Sequence, residues 1–336
     1  MIVVTGATGL VGSHLCLRFA EMGVPVRACY HEEKKKKHLH SLFQFYNKEQ
    51  LLSFLSWEKL DLTDFENVLE ITEKATHVFH CAAVVSYHPK DAQTLMETNV
   101  EGTANVVNAC IENKIDHLIY VSSISALGKN GTETINEDTP RDMALYYTNY
   151  SRSKYLAELE VWRGIEEGLP CTIFNPGVIL GPGVFSQSSG TLFQRIEKGL
   201  PAMPAGGTGL VTVHNVVQAM LAAYAQGATN ERFILVSENW SMAQLFSTIA
   251  AALQVKIGTG IAKKWQLNVV YILERMSEIF TGKKASVTKE IIRNYGETNT
   301  FKGTKAVEVF QIQYGSLREA IKETVDYKNK TASFNE

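Results

Sequence analysis

Tyr150-Ser-Arg-Ser-Lys154 sets a phenol and an ammonium four residues apart, so a helix expected over residues 149–167 carries both on one face, one turn apart. A tyrosine ordinarily titrates near ~10, too high for easy proton exchange at neutral pH. A lysine ammonium beside it favours the phenolate and can bring the pair into range for general acid–base chemistry. The same ammonium can reach the ribose hydroxyls of a bound nucleotide. Tyr-x-x-x-Lys alone is common on surface helices; its weight here comes from its position after the expected fifth strand, His117–Val121. That strand runs into Ser122-Ser123-Ile124-Ser125. A hydroxyl there can bond a substrate oxygen while Tyr150 transfers the proton, although any single serine is equally well a turn residue.

Chemistry of this kind needs a nucleotide site, and the N-terminus offers one. Ile2-Val3-Val4 is a short β-branched run, the pattern of a strand buried on both faces. It continues into Thr5-Gly6-Ala7-Thr8-Gly9-Leu10-Val11-Gly12 and then into helical spacing over residues 13–22. Strand, glycine turn and helix in that order make a phosphate cradle. The glycines admit a pyrophosphate to the backbone, and the helix start presents open N–H groups and a positive dipole end. The spacing is Gly-x-x-Gly-x-x-Gly, not Gly-x-Gly-x-x-Gly, so the turn is a weak signal without its context.

The remaining pattern alternates strand and helix. Strands are expected at Val26–Tyr30, 57–64, 76–83, His117–Val121 and 171–174. Helices are expected after a charged loop at 31–38, over 65–74 with Asp64 as N-cap, over 99–112 and over 149–167. This is the pattern of an α/β, Rossmann-type, doubly wound parallel sheet. Beyond Asn175 the texture becomes irregular. Residues 210–213 and 233–236 read as strands, a helix starts at His214-Asn215, and Ser241 caps another helix reaching about Leu253. The expected division is a dinucleotide-binding domain of 1–175 and 210–236, with the latter segment returning to the first sheet. A smaller, mostly helical C-terminal substrate domain takes 176–209 and 237–336.

The composition admits such an enzyme and excludes several other classes. The 336 residues are 45% hydrophobic and 20% charged, with a formal net charge of −2, which gives no argument for nucleic acid or an anionic membrane. Five scattered cysteines lack paired spacing, so neither a metal site nor a disulfide framework is expected, and the cytoplasm is the expected compartment. The chain opens on its first apolar strand, so no cleaved leader is expected. Residues 265–280 contain Asn268, Glu274, Arg275 and Glu278 and fall short of the ~20 apolar residues of a membrane span. They read as an amphipathic helix of the smaller domain, with no membrane partner.

Thr5-Gly6-x-x-Gly9-x-x-Gly12, Asp61-Leu62, Ala82-Ala83, Asn99-Val100-x-Gly102-Thr103, Ser122-Ser123, Tyr150-x-x-x-Lys154 and Asn175-Pro176-Gly177-x-x-x-Gly181-Pro182 occur in that order. Together they resemble the extended short-chain dehydrogenase/reductases, the NAD-dependent epimerase/dehydratase family, over nearly the whole chain. Residues 174–183 resemble the dihydroflavonol reductase and 3β-hydroxysteroid dehydrogenase branch. The resemblance implies Tyr150 as acid/base, Lys154 as its activator and ribose ligand, and Ser123 as the ligand of the substrate oxygen. It implies a cofactor site of Gly6, Thr8, Gly9, Leu10, Val11 and Gly12 at the phosphates, Tyr30 and His31 at the end of strand two, and Asp61 and Leu62 at the adenine. Ala82 and Ala83 would lie behind the ribose, and Pro176, Gly177, Val178 and Ile179 at the nicotinamide. Asn99 is expected to brace its helix. The substrate wall is expected from Val85, Tyr87, His88, Leu127, Tyr146, Tyr147 and residues 183–205. Homodimers through helices near 95–112 and 150–167 are common in the family.

The sequence departs from the family's pattern at two places. Asn215 replaces an acidic N-cap, a role asparagine also fills. Strand two ends in Tyr30-His31, followed by Glu32-Glu33 and a lysine run, where an NAD-specific site carries an acid for the ribose 2′-hydroxyl. The lysines either receive a 2′-phosphate or solvate a loop, and the expectation is NADP before NAD. The expected activity is hydride transfer between nicotinamide and a carbonyl or secondary alcohol of a small organic substrate. The alternatives are a nucleotide-sugar epimerase or dehydratase, and a non-catalytic NADP(H)-binding sensor.

Overall fold

Alternation decides the sheet. In β1 (Ile2–Thr5) Ile2 and Val4 enter one core and Val3 the other, so both faces of the strand are covered. A computed structural model describes residues 1–128, 134–185, 189–281 and 284–332. After β1 come α1 (Leu10–Glu21), β2 (Val26–Tyr30), α2 (Lys36–Phe45), β3 (Leu55–Lys59), α3 (Phe65–Thr72) and β4 (His77–His80). Next are α4 (Ala92–Leu95), α5 (Gly102–Glu112), β5 (His117–Val121), α6 (Asn149–Glu166), β6 (Cys171–Pro176) and β7 (Val178–Leu180). Then α7 (Gly190–Glu197), β8 (Gly207–Thr212), α8 (Val213–Gln226), β9 (Arg232–Leu235), β10 (Glu238–Ser241) and α9 (Met242–Ala252) follow. The described chain closes with α10 (Lys264–Thr281), α11 (Lys289–Arg293), α12 (Thr304–Phe310) and α13 (Leu317–Ala332).

Seven parallel strands pair in the order β3-β2-β1-β4-β5-β6-β9, and a second sheet pairs β10-β8-β7. One face of the large sheet packs on Leu15 and Phe19 of α1, Leu39 and Phe43 of α2, Val216 and Met220 of α8 and Phe310 of α12. The other packs on Val68 and Ile71 of α3, Val106 and Val107 of α5 and Ala157 and Val161 of α6. The chain leaves β1 toward β2 and β3, then returns to β4 on the other side. The carboxyl ends of β1 and β4 therefore flank a switch point, where ligands of open α/β sheets bind.

Several boundaries differ from the sequence expectation, each for a local reason. The third strand covers Leu55–Lys59; Asp61 Oδ1 accepts hydrogen bonds from Thr63 N and Oγ1 at 3.0 and 2.7 Å, which turns the chain before α3. The lysine run is not all loop, because α2 begins at Lys36. The fourth strand stops at His80. The helix expected at 99–112 starts at Ala92 and passes through a π-helical turn over Met96–Glu101. Thr212, not Asn215, caps α8: its Oγ1 accepts from Asn215 N at 3.1 Å and donates to Asn215 Oδ1 at 2.7 Å. Of the segment 210–236, α8 packs on α1 and β9 edges the large sheet, but β8 lies between β7 and β10 in the small sheet. Gly177 and Gly209 permit that placement, since a Cβ at Gly177 would sit 2.3 Å from Gly209 O.

Candidate active site

The glycine turn is built for close approach. Gly6 has φ +66° and packs on the backbone at Ala82, where a Cβ would lie 2.7 Å from the Ala82 Cα. A Cβ at Gly12 would lie 2.3 Å from Gly6 O, so the start of α1 rests directly on the turn. Gly9 stands at the N-cap of α1 and offers no side-chain cap, whereas Asp64, Thr148 and Ser241 cap α3, α6 and α9. An uncapped helix start leaves N–H groups for another acceptor. A backbone cradle that side chains would fill, beside open donors, fits the pyrophosphate of a dinucleotide. Thr5 Oγ1 ties the neighbouring strand ends together, accepting from Ala82 N at 3.2 Å and pairing with His80 Nδ1 at 2.7 Å.

At the end of β5 the two serines separate. Ser122 Oγ donates to Glu158 Oε2 at 2.6 Å and belongs to the interior. Ser123 Oγ accepts from Ser125 N at 3.1 Å. Burial pushes the Tyr150 phenol above its ordinary range, and the Ser123 hydroxyl pulls it back down. The Tyr87 ring stands edge-on to Tyr150, with centroids 5.6 Å apart.

Lys154 departs from the expected arrangement. Its Nζ donates to Tyr120 Oη and Val121 O, both at 2.9 Å, and it is Ser123, not Lys154, that draws the Tyr150 phenol down. The cause is strand alternation: Tyr120 faces the α5–α6 layer, directly over the helix that carries Lys154. Burial lowers the Lys154 ammonium to about 8, against the opposing charge of Glu158. The same burial, reinforced by the Lys154 charge, holds His80 neutral with a pKa of about 3. Its Nε2 pairs with Thr103 Oγ1 at 3.1 Å.

Glu158 and Tyr120 went unnoticed in the sequence. Glu158 follows Lys154 by one turn, so the spacing Tyr150, Lys154, Glu158 was an available signal. Glu158 Oε2 also accepts from Asn175 Nδ2 at 2.7 Å, and Oε1 accepts from Arg232 Nη1 at 3.2 Å. One buried carboxylate thereby joins β5, α6, β6 and β9. Asn99 is a brace: its Oδ1 accepts from Val84 N at 2.8 Å, and its Nδ2 donates to Val84 O and Ser153 Oγ at 2.9 and 3.0 Å.

A cavity of about 270 Å3 opens beside Ser125 and Thr148. Tyr87, Leu127 and Tyr147 line it together with Ile124, Phe301 and Glu297. His88 is not a wall residue of this cavity. It is buried, and its Nε2 lies 3.4 Å from Glu278, because it caps the turn at Pro89–Asp91. Val85 is exposed, and the Arg293 guanidinium lies 3.8 Å over the Tyr146 ring. Of residues 183–205, positions 186–188 lie outside the described residues.

At the cofactor's expected far end, Tyr30 closes β2 with Lys36 Nζ 3.9 Å over its ring, and His31 is exposed. Lys34 and Lys35 pair with Glu32, and Lys36 pairs with Glu33. Asp61 is held below the usual carboxylate range by Thr63. Leu62 is buried against Gly102, Ala82 is half-buried and Ala83 exposed, Pro176 ends β6, and Val178 and Ile179 lie in β7. Among the described residues no group of acidic, histidine or cysteine side chains could hold a metal.

Residues 2–235 match the model of the NAD-dependent epimerase/dehydratase family. The chain belongs to that family. A putative dihydroflavonol 4-reductase of Synechocystis is 25% identical over 96% of this chain and 93% of its own length. Tetraketide alpha-pyrone reductase 2 of Arabidopsis thaliana is 29% identical over 71% of this chain and 79% of its own length. The crystal structure of gox2253 superposes with a TM-score of 0.79 at 26% identity, covering 98% of each chain. This epimerase/dehydratase family member is thus an extended short-chain dehydrogenase/reductase, with relatives named as reductases.

Proposed function

We propose that the chain is an NADP(H)-dependent reductase acting on a carbonyl or secondary alcohol of a small, largely apolar organic substrate. The observation that carries the reading is the buried Tyr150 and Lys154 of α6 set at the carboxyl end of β5, where Lys154 donates to Val121 O and the Ser123 hydroxyl draws the Tyr150 phenol's pKa down. Gly6, Thr8, Gly9, Leu10, Val11 and Gly12 would hold the pyrophosphate, Tyr30, His31, Asp61 and Leu62 the adenosine end, and Ala82 and Ala83 the ribose. Pro176, Gly177, Val178 and Ile179 would border the nicotinamide. Bound there, the dinucleotide supplies or accepts the hydride. Ser123 orients the substrate oxygen by hydrogen bonding, and Tyr150 Oη gives or takes its proton. Lys154 fixes a positive charge in a dry site, where it acts more strongly than in water.

The reductase names of the relatives favour net reduction over epimerisation. NADP is favoured because Tyr30 and His31 bear no carboxylate and the two that follow, Glu32 and Glu33, are engaged by lysines. We further propose that 1–175 with 210–236 serve the dinucleotide and 176–209 with 237–336 the substrate. Thr208, Asn294 and Glu297 reach the cavity from the latter segments.

Thermal shift and turnover of the purified chain and of Tyr150→Phe, each with NADPH and NADH, provide the test. The expected result is greater stabilisation by NADPH, retained in the variant, with turnover on a carbonyl panel reduced at least ~100-fold. Full activity of Tyr150→Phe overturns the acid/base role, and greater stabilisation by NADH overturns the cofactor preference. Interconversion of sugar nucleotides without net NADPH consumption would make it an epimerase; tight binding without turnover would make it a sensor.

A further inference from the structure

Helix α10 is turned the opposite way from an ordinary surface helix. Trp265, Ile272, Leu273, Met276, Ile279 and Phe280 are each more than half exposed. At 100° per residue they fall within an outward arc of about 120° that runs some 22 Å along the helix. The carboxylates face the protein instead. Glu278 is buried, accepting from Lys90 Nζ at 2.6 Å and Arg275 Nη1 at 2.9 Å. Glu274 accepts from Ser286 Oγ at 2.6 Å and from the Ser286 and Val287 amides at 2.7 Å. The helix thus spends its acids on attachment and leaves a continuous apolar strip in water, a configuration that marks an interaction site.

The surrounding charge identifies the partner. Residues 256–297 hold eight Lys or Arg and four Glu, in a chain of net charge −2. Two of those glutamates are the ones pinned inward on α10. Glu290 is buried with Asn149 on its carboxylate, and Glu297 alone of the four is exposed, where it lines the cavity. Lys256, Lys263, Lys264, Lys284 and Lys289 of this stretch are exposed, with Lys284 paired to Asp91 at 2.6 Å and Lys263 and Lys264 at the start of the helix. A second copy docked by a two-fold axis would bring two copies of this lysine-rich surface together, a like-charge contact. An anionic bilayer offers both an apolar layer for the strip and negative headgroups for the lysines. We propose that α10 docks this protein on the surface of an anionic membrane, lying in the plane of the interface. Among the described residues no helix is long and apolar enough to cross a membrane, so the helix lies on the bilayer and does not span it. Through Glu278 the helix also grips His88 and Lys90, in the segment that sets Tyr87 against Tyr150. The proposal does not depend on the reaction.

Flotation of the full chain with vesicles tests it, using phosphatidylcholine alone or with one quarter phosphatidylglycerol, at low and high salt. The expected result is binding to the anionic vesicles that falls with salt, and a blue shift of Trp265 emission lost in Trp265→Phe. A Leu273→Ser/Ile279→Ser/Phe280→Ser variant is expected to keep its melting temperature and dinucleotide-induced shift while binding at least tenfold more weakly. Equal binding by that variant, equal binding to neutral vesicles, or no vesicle binding overturns the proposal. Concentration-dependent self-association abolished by the same substitutions, without vesicle binding, assigns the strip to a second copy instead.

Discussion

Ser122 and Ser123 are adjacent and chemically identical, yet alternation sends their hydroxyls to different work. Ser122 satisfies a buried carboxylate, and Ser123 draws down the pKa of the Tyr150 phenol. Ser122→Ala is expected to cost about 1–3 kcal/mol of stability by removing a bond to a buried charge, with a small effect on turnover. Ser123→Ala is expected to leave stability near wild type and to lower kcat at least ~10-fold. Because the Ser123 hydroxyl lowers the Tyr150 pKa, its loss should also move the basic limb of the pH–rate profile upward. Urea melts and pH profiles of the two variants check this; the reverse ranking would assign Ser122 to the site. Lys154 shows the same dependence on surroundings. Its ammonium is held by Tyr120 and Val121 in the structure, so its influence on the site is that of a fixed, desolvated charge.

The glycine turn acts as an element, because its backbone replaces the side chains that would otherwise fill the cradle. A methyl group at Gly12 meets the Gly6 carbonyl oxygen at 2.3 Å, and backbone cannot move aside as a side-chain end can. Gly12→Ala is therefore expected to cost about 1–3 kcal/mol and to weaken dinucleotide binding at least tenfold. Gly23→Ala is the matched control: Gly23 has φ +71° and nothing within 4 Å of the added atom. It should lose about 1 kcal/mol through backbone strain alone, with its dinucleotide-induced thermal shift unchanged. A full shift in Gly12→Ala would remove the turn from the cofactor site. Asp64 before α3 and Ser241 before α9 were legible as caps, since a cap bonds an amide only three residues on. The cap of α8 was not: the sequence reads it as Asn215 and the structure has Thr212, because the choice depends on where β8 ends.

For the whole molecule, buried histidines couple the fold to pH. His14 in α1 pairs with the Pro182 carbonyl at 2.8 Å, joining the glycine-turn helix to the segment after β7. Burial holds His14 at about 4, and His80 is at about 3. Unfolded, both would take up a proton near ~6.5. Below that pH the unfolded chain binds more protons than the folded one, so stability falls as pH drops from about 6.5 toward 4 and 3. Urea midpoints between pH 7 and 4.5 should decline, and His14→Gln should show a shallower decline than wild type. An unchanged slope would mean that His14 is not held neutral by the fold.

Local patterns alone determined β1, β2 and β5, the alternating order of strand and helix, the glycine turn, and the shared face of Tyr150 and Lys154. Each rests on interactions within a few residues, or on the fixed periods of helix and strand. Tertiary structure alone decided what those faces meet. Strand pairing put Tyr120 over Lys154, moved β8 to the small sheet and gathered Ser122, Asn175 and Arg232 around the Glu158 carboxylate. The sharpest case is α10. Its sequence has an apolar side and a carboxylate-bearing side, and periodicity treats either as a possible inner face. Partners distant in the chain made the choice: Lys90, Ser286 and Val287 supply donors to Glu278 and Glu274. Hydrogen bonding to those acids turned the apolar side toward solvent.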